Sequence, residues 1–256
     1  MGVQRGLPAR FILVALLIFL AIVLVGCGVD SPQNTFSPVG EVARKQRDLL
    51  FLALWPAIVI FVVVEGVLIY ALFRFRARKG GELPKQIHGN PRLEIAWTLA
   101  PALLLFILAF PIVKGIVDLA KKPPADSLPV NVTGVQWNWL FSYPDYGINT
   151  IGELHIPVGR TVKFSLHSND VIHSFWLPRL GGKLDVIPGR NNEYWLKADE
   201  PGDYSGQCAE FCGLGHANMR MHVVVQSETD FQAWVNQQKA AVPSAQPNLA
   251  LQAPSN

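Results

Sequence analysis

From Gly206 to His222 the chain reads G-Q-C-A-E-F-C-G-L-G-H-A-N-M-R-M-H. Two thiols (Cys208, Cys212), two imidazoles (His216, His222) and two thioethers (Met219, Met221) fall within fifteen residues. These are soft-to-borderline donors, the set that holds copper or zinc rather than magnesium or calcium. Three other readings fit the same residues. In an exported domain Cys208 and Cys212 could form a disulfide, because disulfides persist outside the cytosol. Thiolates two to four residues apart followed by a histidine also have zinc-like spacing. Buried, unliganded Cys and Met are the third reading. A methionine three residues beyond His216 and a further upstream histidine, His173, weigh towards copper. Zinc rarely recruits a thioether, whereas copper electron-transfer sites combine Cys, His and a weak axial Met. A mononuclear site of that kind needs one Cys. Two thiolates on one tight loop can bridge two copper ions that share an electron.

The segment C-A-E-F-C-G-L-G-H-A-N-M, residues 208–219, resembles the dinuclear copper (CuA) loop of cytochrome c oxidase subunit II, whose pattern is C-x-E-x-C-x-x-x-H-x-x-M. The resemblance implies roles position by position. Cys208 and Cys212 are the bridging thiolates, with His216 and Met219 as terminal ligands. Glu210 binds copper through its backbone carbonyl and turns its carboxylate towards a magnesium site shared with subunit I. D-V-I-H-S-F, residues 170–175, matches the segment that carries the family's first copper-binding histidine, which assigns His173 that role. L-G-G-K-L-D-V-I-P-G-R, residues 180–190, follows the family as well. Arg220 stands where the family has proline, so Met221 and His222 are extra donors close by; alternatively M-H-V-V-V opens the last strand. Q-W-x-W aligns Trp137 with the tryptophan through which the family takes electrons from cytochrome c. H-G-N-P-R-L-E-I-A-W-T-L-A-P, residues 88–101, resembles the start of the family's second membrane helix. That match puts Glu94 at the mouth of a proton channel in subunit I. Taken alone, Glu94 is a helix-start acid favoured by the dipole.

These residues need a scaffold, and composition bounds it. The 256 residues are 50% hydrophobic and only 16% charged, which points to membrane segments plus one modest soluble domain. Residues 118–256 hold thirteen Asp or Glu and ten Lys or Arg, a net charge of −3, against +3 for the whole chain. With no basic stripe outside one short loop, a nucleic-acid partner is excluded. Residues 1–27 read as a bacterial lipoprotein-type signal: Arg5 and Arg10, an apolar run from Phe11 to Val25, then L-V-G-C ending at Cys27. Cleavage would leave Cys27 as a lipidated first residue; the alternative is an uncleaved signal anchor.

Residues 28–120 read as a transmembrane hairpin with spans over about 49–73 and 95–117, each long enough for a bilayer that needs about 20 apolar residues. Arg74, Arg76, Arg78, Lys79, Lys85 and Arg92 between them mark the cytoplasmic side, although Arg44, Lys45 and Arg47 lie on the outer side. Glu65, near mid-membrane, should face protein rather than lipid. After a stiff Pro-containing linker, residues 121–129, short β-rich stretches alternate with turns: V-N-V-T-G-V-Q-W-N-W, E-L-H-I-P, T-V-K-F-S-L-H, E-Y-W-L-K and M-H-V-V-V. That spacing predicts an antiparallel sandwich or barrel, which the resemblance narrows to an all-β cupredoxin-like Greek-key barrel over 121–239. Most rings of Trp137, Trp139, Phe141 and Tyr143 read as core, with Trp139 assigned there, and His155 and His167 as strand residues. A terminal amphipathic stretch and a low-complexity, disordered tail over 240–256 follow.

The expected function is subunit II of a bacterial cytochrome c oxidase, multi-pass in the inner membrane with its copper domain outside. Implied partners are subunit I and subunit III, membrane lipid, and cytochrome c or another small donor. Asp145, Glu153, Glu193, Asp199, Glu200 and Asp203 are acids that could steer such a donor. Oxygen chemistry and proton translocation would belong to the complex. The rivals are an electron-transfer copper subunit of another complex and a membrane-anchored metal-binding structural protein. A quinol-oxidising subunit II is disfavoured, because such subunits lack these copper ligands.

Overall fold

The computed structural model describes residues 31–76, 86 and 89–241, with six further positions between 11 and 21. Apart from those six, the signal segment with Cys27 lies outside the described residues. So do Arg78, Lys79, Lys85 and His88 of the basic loop, and the tail beyond Ala241.

Two helices, α1 (Glu41–Arg74) and α2 (Pro91–Leu119), contain the two apolar runs and extend past both ends of each. At 1.5 Å per residue the 34 residues of α1 reach about 50 Å, against about 30 Å for a hydrocarbon core. Its polar first turns therefore rise clear of the bilayer towards the soluble domain. Along both helices large apolar side chains such as Val62, Phe73, Leu105 and Phe110 stand exposed, as expected where the solvent is lipid or another subunit. The helices touch where Gly115 makes room: a Cβ there would come within 2.7 Å of Leu49 Cδ1. Asn90 starts α2 by accepting from the Arg92 and Leu93 N–H groups, with Pro91 following it at the first helical position.

The soluble domain is two five-stranded sheets. β1 (Leu128–Val135), β2 (Asn138–Tyr143), β3 (Ile148–Ile151), β5 (Thr161–Ser168) and β8 (Asn192–Lys197) form the first, in the order β3-β2-β1-β5-β8. β4 (Glu153–Pro157), β6 (His173–Trp176), β7 (Lys183–Val186), β9 (Gly202–Cys208) and β10 (Arg220–Gln226) form the second, in the order β4-β10-β9-β6-β7. Period-two alternation aims Leu128, Val130 and Val132 of β1, Val162, Phe164 and Leu166 of β5, and Trp139, Phe141 and Tyr143 of β2 into one core. Burying each such side chain contributes about 1.5–3 kcal/mol. Helix α3 (Glu228–Ala241) covers one side with Phe231, Trp234 and Val235.

Three expectations are corrected. The sheets are not purely antiparallel: β1 runs parallel to β5, and β4 parallel to β10, because alternation specifies a buried face but not a strand direction. The stretch V-N-V-T-G-V-Q-W-N-W is two strands rather than one. Val135 pairs with Asn138, and the chain turns at Gln136 and Trp137. Leu128 and Pro129, read as linker, begin β1.

The hairpin and the barrel are joined at the roots of both helices. Val39 N–H donates to Arg179 O (2.8 Å) and Val39 O accepts from Asp199 N–H (2.9 Å), while Val39 and Val42 sit in the barrel core. At the far end of α2, Trp195 Nε1–H donates to Leu119 O at 3.0 Å.

Candidate metal centre

The centre lies at the end of the barrel away from the helix roots. Leu128 opens β1 directly after the linker from α2, and Val135 ends it at the Gln136–Trp137 turn. Cys208 closes β9, and residues 209–219 loop out before Arg220 begins β10 opposite Gln207. Cys208 N–H donates to Met219 O at 2.9 Å, which clamps the ends of this loop, and a 3-10 turn at His216–Asn218 folds it back. Ala209 N–H donates to Ser174 O at 3.0 Å, and Phe175 pairs with Cys208, so β6 carries His173 to the loop. The tight packing has a local reason at Gly134, where a Cβ would meet the His173 ring at 2.8 Å.

The donor atoms converge on two sulfurs. Cys208 Sγ and Cys212 Sγ lie 3.8 Å apart, both buried and free. On the Cys208 side stand His173 Nδ1 at 3.9 Å and the Glu210 carbonyl oxygen at 3.2 Å. On the Cys212 side stand His216 Nδ1 at 3.6 Å and Met219 Sδ at 3.8 Å. One atom each from His173, Cys208 and Cys212 fall within 4.8 Å of one another. This set of two thiols, two imidazoles, a thioether and a carbonyl exceeds the four ligands of a structural zinc site. It is soft, and it divides into two groups about the sulfur pair, a donor chemistry that suits copper. Burial, then the neighbouring Cys208 sulfur, pushes the Cys212 thiol up to about 12, so a soft cation must displace its proton on binding.

Met221 and His222, the extra donors in the sequence, do not join the group. Met221 is core: a Cβ on Gly206 would lie 2.9 Å from its sulfur. His222 faces outward, with Nε2 3.1 Å from Asp203 Oδ1. His155 also lies outside the group, stacked on Trp234 at 4.2 Å and bonded to Glu153 and Gln226.

Trp137 sits on the loop at the surface, 41% exposed. Its Nε1–H donates to Cys212 O at 3.2 Å, and Gln136 Nε2–H donates to the same oxygen at 2.7 Å. Gly215 lies under the indole, where a Cβ would come within 2.4 Å of the ring. Phe211 and Leu214 of the same loop are 77% and 98% exposed. The Glu210 side chain is exposed as well. Four acids expected to steer a donor have partners already: Asp199 pairs with Arg44 at 2.5 Å beside the root of α1, Glu193 with Lys163 at 2.6 Å, Asp203 with His222 and Glu153 with His155. Glu94 lies on the first turn of α2, where Oε1 accepts from Asn90 N–H at 3.1 Å. Glu65 is half-buried on α1.

Sequence reading missed Asp170. Its Oδ1 accepts from His173 Nε2–H at 2.8 Å and its Oδ2 from Gln136 N–H at 2.6 Å. Burial raises its pKa, but the bonds from His173, Gln136 and Val171 outweigh that and hold it below the ordinary value. The available signal was an acid three residues before a candidate ligand, since metal-bound histidines commonly hand their second nitrogen to a carboxylate.

The chain is also similar to known proteins. The family profile described as cytochrome c oxidase subunit II, transmembrane domain, matches residues 33–114, and the profile for the periplasmic domain of the same subunit matches residues 148–228. The protein named cytochrome c oxidase subunit 2 of Alkalihalophilus pseudofirmus is 39% identical over 240 residues, covering 91% of this chain and 70% of its own length. The quinol oxidase subunit 2 of Bacillus spizizenii is 37% identical, covering 91% of this chain and 74% of its own. The crystal structure of the periplasmic domain of subunit II of cytochrome oxidase from Bradyrhizobium japonicum is 36% identical, with a TM-score of 0.45, covering 47% of this chain and 99% of that one.

Proposed function

This chain belongs to the cytochrome c oxidase subunit II family, and from that premise we propose that it carries electrons on a dinuclear copper (CuA) centre. It takes single electrons from cytochrome c, or another small donor, on the outer side of the bacterial inner membrane. It passes them to haem in subunit I, where oxygen is reduced to water and protons are pumped. The observation that carries the reading is the division of donors about the sulfur pair: His173 and the Glu210 carbonyl beside Cys208, His216 and Met219 beside Cys212. Bound copper supplies a one-electron couple there. The chain's own residues do the rest. Burial of both thiols and of Met219 keeps water off the centre, and the loop clamps hold its geometry between redox states. Trp137 is the arrival point for electrons, a flat apolar surface one hydrogen bond from the Cys212 backbone.

Glu210, its carboxylate exposed on the loop, is the group able to share a magnesium ion with subunit I. Glu94 at a proton-channel mouth and lipid on Cys27 belong to the same proposal, as does association with subunit III. A quinol-fed oxidase is the second reading, since two similar relatives bear that name. The complete soft donor set favours a one-electron donor instead. Metal analysis and the electron paramagnetic spectrum of the full chain after copper loading test the choice. Two coppers per chain sharing one unpaired electron are expected. One copper, or zinc alone after copper loading, sinks it.

A further inference from the structure

Five contacts close a ring through the centre, and a sixth, from Trp137, branches off it. His173 reaches Cys208, Cys208 reaches Cys212, and the Cys212 carbonyl takes hydrogen bonds from the side chains of Gln136 and Trp137. The ring closes from Gln136 back to His173 through a single carboxylate, that of Asp170. We infer that Asp170 is a positioning residue that joins the metal ligand His173 to the surface ring of Trp137, so that the donor geometry inside and the indole outside are set together. The inference rests on the copper reading for its metal, while the hydrogen-bond ring belongs to this chain alone.

The chemistry of each oxygen supports the assignment. An ionised carboxylate only accepts, so Oδ1 at 2.8 Å places the proton of His173 on Nε2. That choice leaves the Nδ1 lone pair aimed at Cys208 Sγ, 3.9 Å away, where a metal donor is needed. Oδ2 holds the Gln136 N–H at 2.6 Å, in the turn between β1 and β2 that carries Trp137. The carboxylate is itself fixed. Val171 N–H donates to Oδ1 at 2.6 Å, and Asp170 N–H donates to Ser168 Oγ at 3.3 Å. Below the ring, the bare Cα of Gly134 lets the imidazole lie against β1, the strand that leads into the Trp137 turn. The carboxylate thus touches a ligand on one side and the Trp137 turn on the other, accepting at each through a separate oxygen. Asparagine is isosteric but offers one acceptor and one NH2. It can satisfy the Gln136 N–H or the His173 Nε2–H, and its NH2 opposes the other donor unless the imidazole changes tautomer and protonates Nδ1.

The test uses the full chain in nanodiscs, labelled with 5-fluorotryptophan and compared with and without copper. Fluorine NMR resolves Trp137 among the seven tryptophans, assigned by its loss in Trp137→Phe. Asp170→Asn is expected to move the Trp137 resonance and to shift the metal-free His173 nitrogen spectrum towards the other tautomer. The same variant should lower copper affinity about 10–100-fold, the usual cost of a lost outer-shell partner, and change the histidine nitrogen hyperfine coupling. Asp203→Asn is the control for loss of charge, because Asp203 also bonds an imidazole, His222, but outside the centre. It should move none of these signals. Should Asp170→Asn fail to fold, Asp170→Glu keeps the charge, displaces both oxygens by a methylene and is expected to move the same signals. A Trp137 resonance that stays in place, or a His173 tautomer that does not change, overturns the inference. Failure of wild-type protein to bind copper counts against the copper centre instead, and the metal-free spectra still decide the role of Asp170.

Discussion

The indole Nε1–H of Trp137 donates to the carbonyl oxygen of Cys212 at 3.2 Å, so a ring 41% open to solvent touches the backbone of a residue whose sulfur faces the centre. Trp139, two residues on, is wholly buried with its ring 5.4 Å from that of Phe175, and its Nε1 has no hydrogen-bond partner among the described residues. Residues two apart on one strand share a face, so it is the turn before β2, where Trp137 lies, that sends it to the surface while Trp139 on β2 enters the core.

Replacing each by phenylalanine separates their roles. Trp137→Phe should slow reduction by cytochrome c while copper content and spectrum stay normal, and the wild-type rate should fall with salt as donor steering is screened. Trp139→Phe loses packing but no hydrogen bond, and should cost about 1–3 kcal/mol of stability. Stopped-flow reduction at several ionic strengths, with denaturant melts of both variants, checks the pair. A wild-type rate in Trp137→Phe means that electrons arrive elsewhere.

Met219 and Met221 are two residues apart and should behave oppositely. Met219→Leu removes the thioether 3.8 Å from Cys212 Sγ and is expected to change the copper absorption spectrum and reduction potential. Met221→Leu conserves volume in the core against Gly206 and should leave the spectrum unchanged at a cost below about 1.5 kcal/mol. Equal spectral changes in both would return Met221 to the ligand set.

Gly40 lies where the chain passes from barrel to α1. A Cβ there would come within 2.7 Å of Leu180 O and 2.9 Å of Lys197 O, both backbone atoms. Gly40→Ala should therefore loosen the Val39–Asp199 and Val39–Arg179 bonds and destabilise by about 1–3 kcal/mol. Hydrogen exchange at the Val39 and Asp199 amides should rise more than at β1. No change there would mean that the attachment does not depend on this close approach.

Tyr143 donates to His155 O at 2.9 Å and accepts from His155 N–H at 2.8 Å, joining β2 to β4 from inside the barrel. Burial drives its pKa well above the ordinary tyrosine value, so the folded state holds the neutral phenol while the unfolded chain ionises near pH 10. The sign follows. This stabilisation is complete below about pH 10 and is lost as pH climbs from there towards the folded value. Tyr143→Phe should cost about 1–3 kcal/mol at neutral pH and flatten the alkaline decline. Urea melts from about pH 8 to about pH 11 read both effects. An alkaline slope equal to wild type would assign the decline to other groups.

Much of this protein is local in sequence. The two membrane runs are legible because hydrocarbon demands about 20 apolar residues whatever surrounds them. The strand T-V-K-F-S-L-H is legible because a half-buried strand alternates, and Thr161–Ser168 folds as such; E-L-H-I-P folds as a strand too, but Leu154 to Pro157 are all buried. Four of the six candidate ligands, Cys208, Cys212, His216 and Met219, could be read directly from their spacing, and the resemblance added Glu210 and the role of His173. Tertiary structure decided the rest. Alternation looks the same in parallel and antiparallel strands, so the β1–β5 and β4–β10 directions had to come from the fold. Whether Met219 or Met221 meets Cys212 depends on where the loop ends and β10 begins, since both are buried and only Met219 still lies on the loop. The Asp170–Gln136 bond joins residues 34 apart, and the Val39 attachments to Arg179 and Asp199 span most of the chain. No composition or period marks such pairs in advance: their partners become neighbours only when the strands take their register and burial makes an unpaired N–H or carboxylate costly.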